Sequence, residues 1–179
     1  MIKSKGWDWK IVKDDIDCPW KIPSVESYYL LNRWENLNFK NFLDLGCGLG
    51  RHTVLFAENG FNVSGFDISK EGIRKTKEWL KNLDLKADLK VGDMLDLPYE
   101  NESFDCILCR NVISHQDTEG VKQIIKELYR VLKNNGECYL TLGSKSTWGF
   151  KQDSWPLVDE NTRLRMEEGP EYKIPHFYA

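Results

Sequence analysis

The chain has 179 residues, 41% of them hydrophobic and 30% charged, which suits one domain built around a single buried core. Its formal net charge of -3, with basic and acidic residues interspersed, excludes the basic stripe that neutralises phosphate backbones and so argues against a nucleic-acid substrate. No apolar run reaches the length of a bilayer span or a signal-peptide core, so a cytoplasmic protein without a membrane is expected, and five cysteines, an odd number, point to free thiols.

Residues 1–38 read as an aromatic-rich segment: Trp7, Trp9 and Trp20, then a helix from Ser24 to Leu37 carrying Tyr28, Tyr29 and Trp34. Such rings either cover an exposed edge of the core or close over a ligand. Residues 39–144 alternate strands with amphipathic helices, the pattern of right-handed βαβ units and a Rossmann-like, open, mostly parallel α/β sheet with helices on both faces. Strands are expected at Phe42–Leu45, Asn62–Phe66, Leu89–Val91, Phe104–Cys109 and Glu137–Leu142. Helices are expected at Arg51–Asn59, Lys70–Leu83 and Thr118–Leu132. The last has an apolar stripe of Val121, Ile124, Ile125, Leu128 and Leu132, with Asn135-Gly136 as its stop. Between Asp93 and Ser103 a proline and the lack of a helical period predict an extended loop. Cys106 and Cys109, three apart on a strand, point to opposite faces, so they read as core rather than as a metal grip, and no other metal-ligand cluster appears.

The segment Phe42 to Asp67, FLDLGCGLGRHTVLFAENGFNVSGFD, carries the chemistry. Gly46, Gly48 and Gly50 remove three side chains where a strand turns into a helix, so a ligand can press against the main chain. A dinucleotide fingerprint would need a further glycine where Arg51 stands. Asp44 puts a carboxylate beside that turn, which repels a pyrophosphate and welcomes an ammonium. Asp67 ends the second strand, where an open α/β sheet places an acid for ribose hydroxyls, with Ile68 beside it. Asp93 can accept from an adenine amino group while Met94 packs on the ring. Three acids at three consecutive strand ends describe a nucleoside carrying an amino acid.

On Asp44-Leu45-Gly46-Cys47-Gly48-Leu49-Gly50, Asp67 and Asp93-Met94, the stretch from Phe39 to Ser144 resembles the class I S-adenosylmethionine-dependent methyltransferases. The resemblance implies S-adenosyl-L-methionine as cosubstrate, S-adenosyl-L-homocysteine as product, and cofactor contacts from these residues, Cys47 among them, and from Arg110 and Asn111 just beyond the fourth strand. It implies an N-terminal lid, and a seven-stranded sheet in the order 3-2-1-4-5-7-6. No strand pair is evident after Leu142, so residues 145–179 read as an irregular tail, C-terminally short, that leaves the fifth strand with a bare edge where a homodimer could form.

Methyl transfer from a sulfonium is a direct displacement that needs alignment and exclusion of water, plus a base when the acceptor is an oxygen or a protonated amine. His115, just past the fourth strand at the carboxyl edge of the sheet, is the first candidate base. His176 is the second, since HFY segments in relatives approach the acceptor, and His52 reads as structural or cofactor-adjacent. The family's motifs for base amines, glutamine amides and cytosine C5 are missing from CRNVISH, which leaves a small-molecule acceptor as the expectation. The alternatives are a cofactor binder without turnover and a nicotinamide-dependent oxidoreductase.

Overall fold

The computed structural model describes residues 2–12 and 18–179. Five strands form one wholly parallel sheet: β1 (Asn41–Leu45), β2 (Asn62–Asp67), β3 (Asp88–Val91), β4 (Phe104–Cys109) and β5 (Leu132–Leu140), in the order β3-β2-β1-β4-β5. Parallel neighbours need crossovers, and α2 (Arg51–Glu58), α3 (Lys70–Asn82) and α4 (Thr118–Val131) supply three of them. A helix α1 (Val25–Asn36) precedes the sheet. The two most buried strands, β1 and β4, are near-continuous apolar runs because both their faces are covered.

Strand alternation sorts the core. Phe42, Cys106 and Leu108 turn to one face and meet Leu30, Leu31 and Trp34 of α1 and Leu55 and Phe56 of α2, with the Phe42 and Phe56 rings stacked at 3.9 Å. Leu43, Leu45, Ile107 and Cys109 turn to the other and pack on Val121, Ile124, Leu128 and Val131 of α4. Cys106 and Cys109 therefore sit in different clusters, and all five thiols are free.

Three expectations are corrected. Ile125 stands outside the α4 stripe, 46% exposed, and Val131 completes that stripe instead. The helix ends at Val131 because Leu132 is already extended and opens β5. Asn135, left-handed at φ 66, and Gly136 lie within β5, where the register against β4 shifts between Phe104–Leu132 and Cys106–Glu137. A Cβ on Gly136 would stand 2.8 Å from the Asp105 carbonyl, so the close approach of the two chains requires glycine there.

The third correction concerns the tail. It forms an antiparallel sheet of β6 (Leu157–Asp159), β7 (Thr162–Leu164) and β8 (Pro175–Phe177), in the order β6-β7-β8. This sheet is fastened to the loops beyond β4 and β5: Phe177 N–H donates to the Ser114 carbonyl at 2.8 Å, Ala179 N–H to the Gly143 carbonyl at 2.8 Å, and Asp159 Oδ2 accepts from Thr118 N–H at 2.9 Å. Beyond one bridge between Gly143 and Tyr178, β5 has no strand neighbour on its outer side among the described residues.

The crossover from β3 to β4 is the expected loop, and α4 holds it. Glu127 Oε2 accepts from Leu97 N–H at 2.8 Å, while Arg130 donates to the carbonyls of Leu97 at 2.9 Å and Tyr99 at 2.7 Å and to Glu127 at 2.7 Å. This fork replaces the hydrogen bonds a helix would have made for itself. Arg130→Met, which keeps the apolar stem and strands two carbonyls, is expected to destabilise the fold by about 1–3 kcal/mol in urea unfolding.

Candidate functional site

The order β3-β2-β1-β4-β5 reverses direction between β1 and β4, and ligands of open α/β sheets bind in the crevice beyond the carboxyl ends of strands at such a point. A cavity of about 320 Å³ lies there, within the roughly 300–1,000 Å³ of small-molecule sites. All five strand ends open into it: Asp44 and Gly46 at the end of β1, Asp67 and Ile68 at the end of β2, Asp93 and Met94 after β3, Arg110, Asn111 and His115 after β4, and Thr141 after β5. Cys47, Gly48 and His176 line it as well. Of the cofactor-contact and base candidates named from the sequence, Gly50 alone does not; of the aromatic residues of the N-terminal segment, Tyr28 and Tyr29 are exposed and Trp34 is buried in the core, away from the cavity.

Gly50 caps α2 at φ 87, and a Cβ there would stand 2.5 Å from Thr76 Cγ2, so its bareness lets α2 and α3 approach. The other two glycines also make room for the protein itself. A Cβ on Gly46 would meet Val112 at 2.3 Å, and one on Gly48 would meet Trp9 at 2.6 Å. The backbone of Gly46 and Gly48 still faces the cavity, at φ 74 and φ 56, left-handed values that L side chains resist.

Asp67 fixes that backbone. One carboxylate oxygen accepts from Gly48 N–H at 2.8 Å and the other from Ser69 N–H at 2.7 Å. A carboxylate offers about four acceptor positions, so two remain for hydroxyls from the cavity. Burial pushes the Asp67 carboxyl above the usual range, against the pull of the two N–H donors. Asp44 is buried deeper, accepts from Thr53 Oγ1 at 2.7 Å, and burial raises its pKa to about 6. A cation entering the cavity would favour the ionised form of both. Beyond β4, Asn111 is left-handed at φ 57, its N–H donates to Thr141 Oγ1 at 2.7 Å, and Arg110 reaches Glu26 of α1 at 3.6 Å.

The N-terminal segment forms part of the cavity wall. Gly6 runs against Ile68, where a Cβ would come within 2.4 Å of Ile68 Cγ2. Trp7, Trp9 and Trp20 pack together with ring centroids 4.6 to 6.2 Å apart, and all three line the cavity. The segment is tied to the tail and to the main domain: Asp8 N–H donates to the Pro170 carbonyl at 3.2 Å, Lys5 Nζ to the Tyr172 carbonyl at 2.5 Å and Trp7 Nε1–H to Glu171 Oε1 at 3.0 Å, while Gln116 Nε2 donates to Ser4 Oγ at 2.5 Å and Lys75 Nζ to the Trp9 carbonyl at 3.3 Å.

The far wall gathers groups remote in sequence. His115 Nε2 is 3.5 Å from Glu171 Oε1, His176 Nε2 is 3.9 Å from Glu171 Oε2, and Arg165 bonds the same carboxylate. Burial and the neighbouring His115 lower the His176 pKa to about 4, while the two histidines and Arg165 hold the Glu171 carboxyl below the usual carboxylate range despite its burial. Glu171 and Arg165 escaped sequence reasoning, because the residues between them carry no periodicity that would have placed them on strands facing a pocket.

Comparison with known proteins places the sequence and the fold. A family profile described as a methyltransferase domain matches residues 42–136. Over 129 residues the chain is 30% identical to the demethylmenaquinone methyltransferase of Lactobacillus johnsonii, covering 65% of this chain and 52% of that protein. It is 38% identical over 96 residues to the norajmaline N-methyltransferase of Rauvolfia serpentina, covering 51% of this chain and 32% of that one. The chain thus spans about half or less of the length of these curated relatives. A solved S-adenosylmethionine-dependent methyltransferase from Methanosarcina mazei superposes with a TM-score of 0.64 at 26% identity, covering 77% of this chain and 72% of that one.

His52, also on the cavity wall, is 4% exposed, and its Nε2 accepts from Ser24 N–H at 3.3 Å, pinning the start of α1. Burial lowers its pKa to about 3. The unfolded chain therefore takes up a proton near pH 6.5 that the folded chain refuses, so this residue's contribution to stability falls as pH drops from about 6.5 towards 3. Urea midpoints across that range should decline less steeply for His52→Asn than for the wild type.

Proposed function

Since the chain belongs to the class I S-adenosylmethionine-dependent methyltransferases, whose cosubstrate is S-adenosylmethionine, we propose that it transfers a methyl group to a small-molecule acceptor by direct displacement. The observation that carries this reading is the Asp67 carboxylate, which is buried at the end of β2, lines the cavity and has acceptor capacity beyond the two amides that bond it. The donor set suits the cosubstrate: Asp67 for ribose hydroxyls, Asp93 for the adenine amino group with Ile68 and Met94 against the ring, and Asp44 for the ammonium. Gly46, Cys47 and Gly48 offer main chain, and Arg110 and Asn111 the backbone beside the methionine portion. When bound, the cosubstrate supplies an electrophilic methyl on a sulfonium.

The protein's own part is alignment and exclusion of water. The three tryptophans of the N-terminal segment line the cavity, where indole rings can attract the positive charge of the sulfonium. The wall of His115, Glu171 and His176 is the acceptor end, and His115 with His176 beside it is the pair we assign to the proton that an oxygen or ammonium acceptor must lose. The mixed charge of the cavity, with Lys5, Arg51, Arg110 and Arg165 among the acids, suits a small polar acceptor better than a polyanion. A cytoplasmic enzyme, with a second copy pairing along the outer edge of β5, completes the reading. No helix among the described residues is long and apolar enough to cross a membrane.

Calorimetry with S-adenosylhomocysteine and with NAD tests the cosubstrate: the first should bind and the second should not. Asp67→Ala should weaken S-adenosylhomocysteine by about 1–3 kcal/mol, because two hydroxyls lose their acceptor in a partly closed site; unchanged affinity would remove the ribose role. His115→Ala should bind S-adenosylhomocysteine like the wild type yet lose about 10²–10⁴-fold in turnover on an acceptor found by panel screening. A wild type that binds the cosubstrate and methylates no member of the panel would favour a binder without turnover.

A further inference from the structure

We propose that His115, Glu171 and His176 form a site for a divalent ion of the borderline class, such as Zn²⁺ or Co²⁺, at the acceptor end of the cavity. The sequence shows no metal-ligand spacing, because one ligand follows β4 and the other two lie in the tail, and only folding brings them together. Their donor atoms all lie within 4.8 Å of one another. Ligands 2.0–2.2 Å from a shared ion stand roughly 3–3.5 Å apart. The His115–Glu171 gap of 3.5 Å already meets that, and the His176–Glu171 gap of 3.9 Å nearly does. The two imidazoles meet edge to face, centroids 5.0 Å apart at 63°, so small ring rotations bring their nitrogens together without a clash of faces.

Three further features favour an ion. His176 Nε2 is buried and has no hydrogen-bond partner, an unmet lone pair facing this cluster. The arms that carry the histidines are coupled, because Phe177 N–H, next to His176, donates to the carbonyl of Ser114, next to His115, at 2.8 Å. The Trp7 indole N–H, 3.0 Å from Glu171 Oε1, orients the carboxylate from behind, the usual duty of a ligand's outer partner. Two imidazoles and one carboxylate suit Zn²⁺, Co²⁺ or Fe²⁺ better than Mg²⁺ or Ca²⁺, which prefer oxygen throughout.

Arg165 competes for the site. Its guanidinium bonds Glu171 but also donates to the exposed Glu167 at 2.6 Å, so it can release Glu171 and keep a carboxylate partner. An ion held here keeps positions open towards the cavity for an oxygen or sulfur of the acceptor, which would bind as its anion with the proton lost to solvent. This deepens the assignment of the acceptor end and rests on it, and it changes the histidines' part: with these ring nitrogens on the ion they hold it in place, and the ion instead of the imidazoles lowers the acceptor's proton affinity.

Full-length protein stripped with chelator and titrated with Co²⁺, followed by visible absorption and in parallel by calorimetry with Zn²⁺, tests the site. One equivalent should bind, with ligand-field bands and without the charge-transfer band of a thiolate, which separates this cluster from the five cysteines. His176→Ala and Glu171→Gln should each weaken Co²⁺ binding at least about tenfold, whereas Arg165→Ala should tighten it, all three keeping wild-type affinity for S-adenosylhomocysteine as proof of folding. No stoichiometric binding by the wild type, a thiolate band, or His176→Ala and Glu171→Gln variants that bind Co²⁺ normally would each overturn the proposal. Loss of S-adenosylhomocysteine binding by the wild type would instead strike the methyltransferase reading, so the two failures are distinguishable.

Discussion

The carboxylate of Asp67 is the joint on which the site turns. It ends β2, takes the amide of Gly48 on one oxygen and that of Ser69 on the other, and so locks the loop after β1 to the start of α3. The parallel order β2-β1-β4 then needs only to deliver neighbouring strand ends to one crevice, and the left-handed turns at Gly46 and Gly48 keep main chain on its wall. A carboxylate buried this deeply is costly unless its oxygens are satisfied, which is why two amides converge on it.

The sheet and its helices were legible because burial on both faces writes itself as apolar runs for β1 and β4, and burial on one face as a helical stripe for α4. The boundaries that failed did so for local reasons. Asn135-Gly136 carries a stop signal, but the helix had already ended and the pair answers to a register shift between β4 and β5. Ile125 fits the stripe by residue type alone, and a one-residue rotation from Ile124 puts it in solvent. The glycines were placed correctly for the turn but explained incompletely, since the space beside them is filled by Val112, Trp9 and Thr76. Main chain faces the cavity at two of the three, and helix packing claims the third.

The wall of His115, Glu171 and His176 was the least readable part. Strands of three residues, such as Thr162–Leu164 and Pro175–Phe177, are too short to show a period of two, so the residues from 145 onward looked irregular. His115 was visible because it follows a clear strand, yet its partners Glu171, Arg165 and His176 come from the small sheet and the turn that closes it. The same turn holds the N-terminal segment through Pro170, Glu171 and Tyr172, alongside further hydrogen bonds from Gln116 to Ser4 and from Lys75 to the Trp9 carbonyl. The hydrogen bond from Trp7 to Glu171 joins the N-terminal segment to the histidine wall, a link that no local pattern in the sequence announces.

A crystal structure of the complex with S-adenosylhomocysteine tests the central claim most directly. The account predicts the ribose hydroxyls on the free acceptor positions of Asp67, the adenine between Asp93 and Met94, and the amino-acid end beside Asp44, with the Gly48 to Asp67 bond intact. An empty crevice at saturating ligand, or a ligand seated away from Asp67, would contradict it.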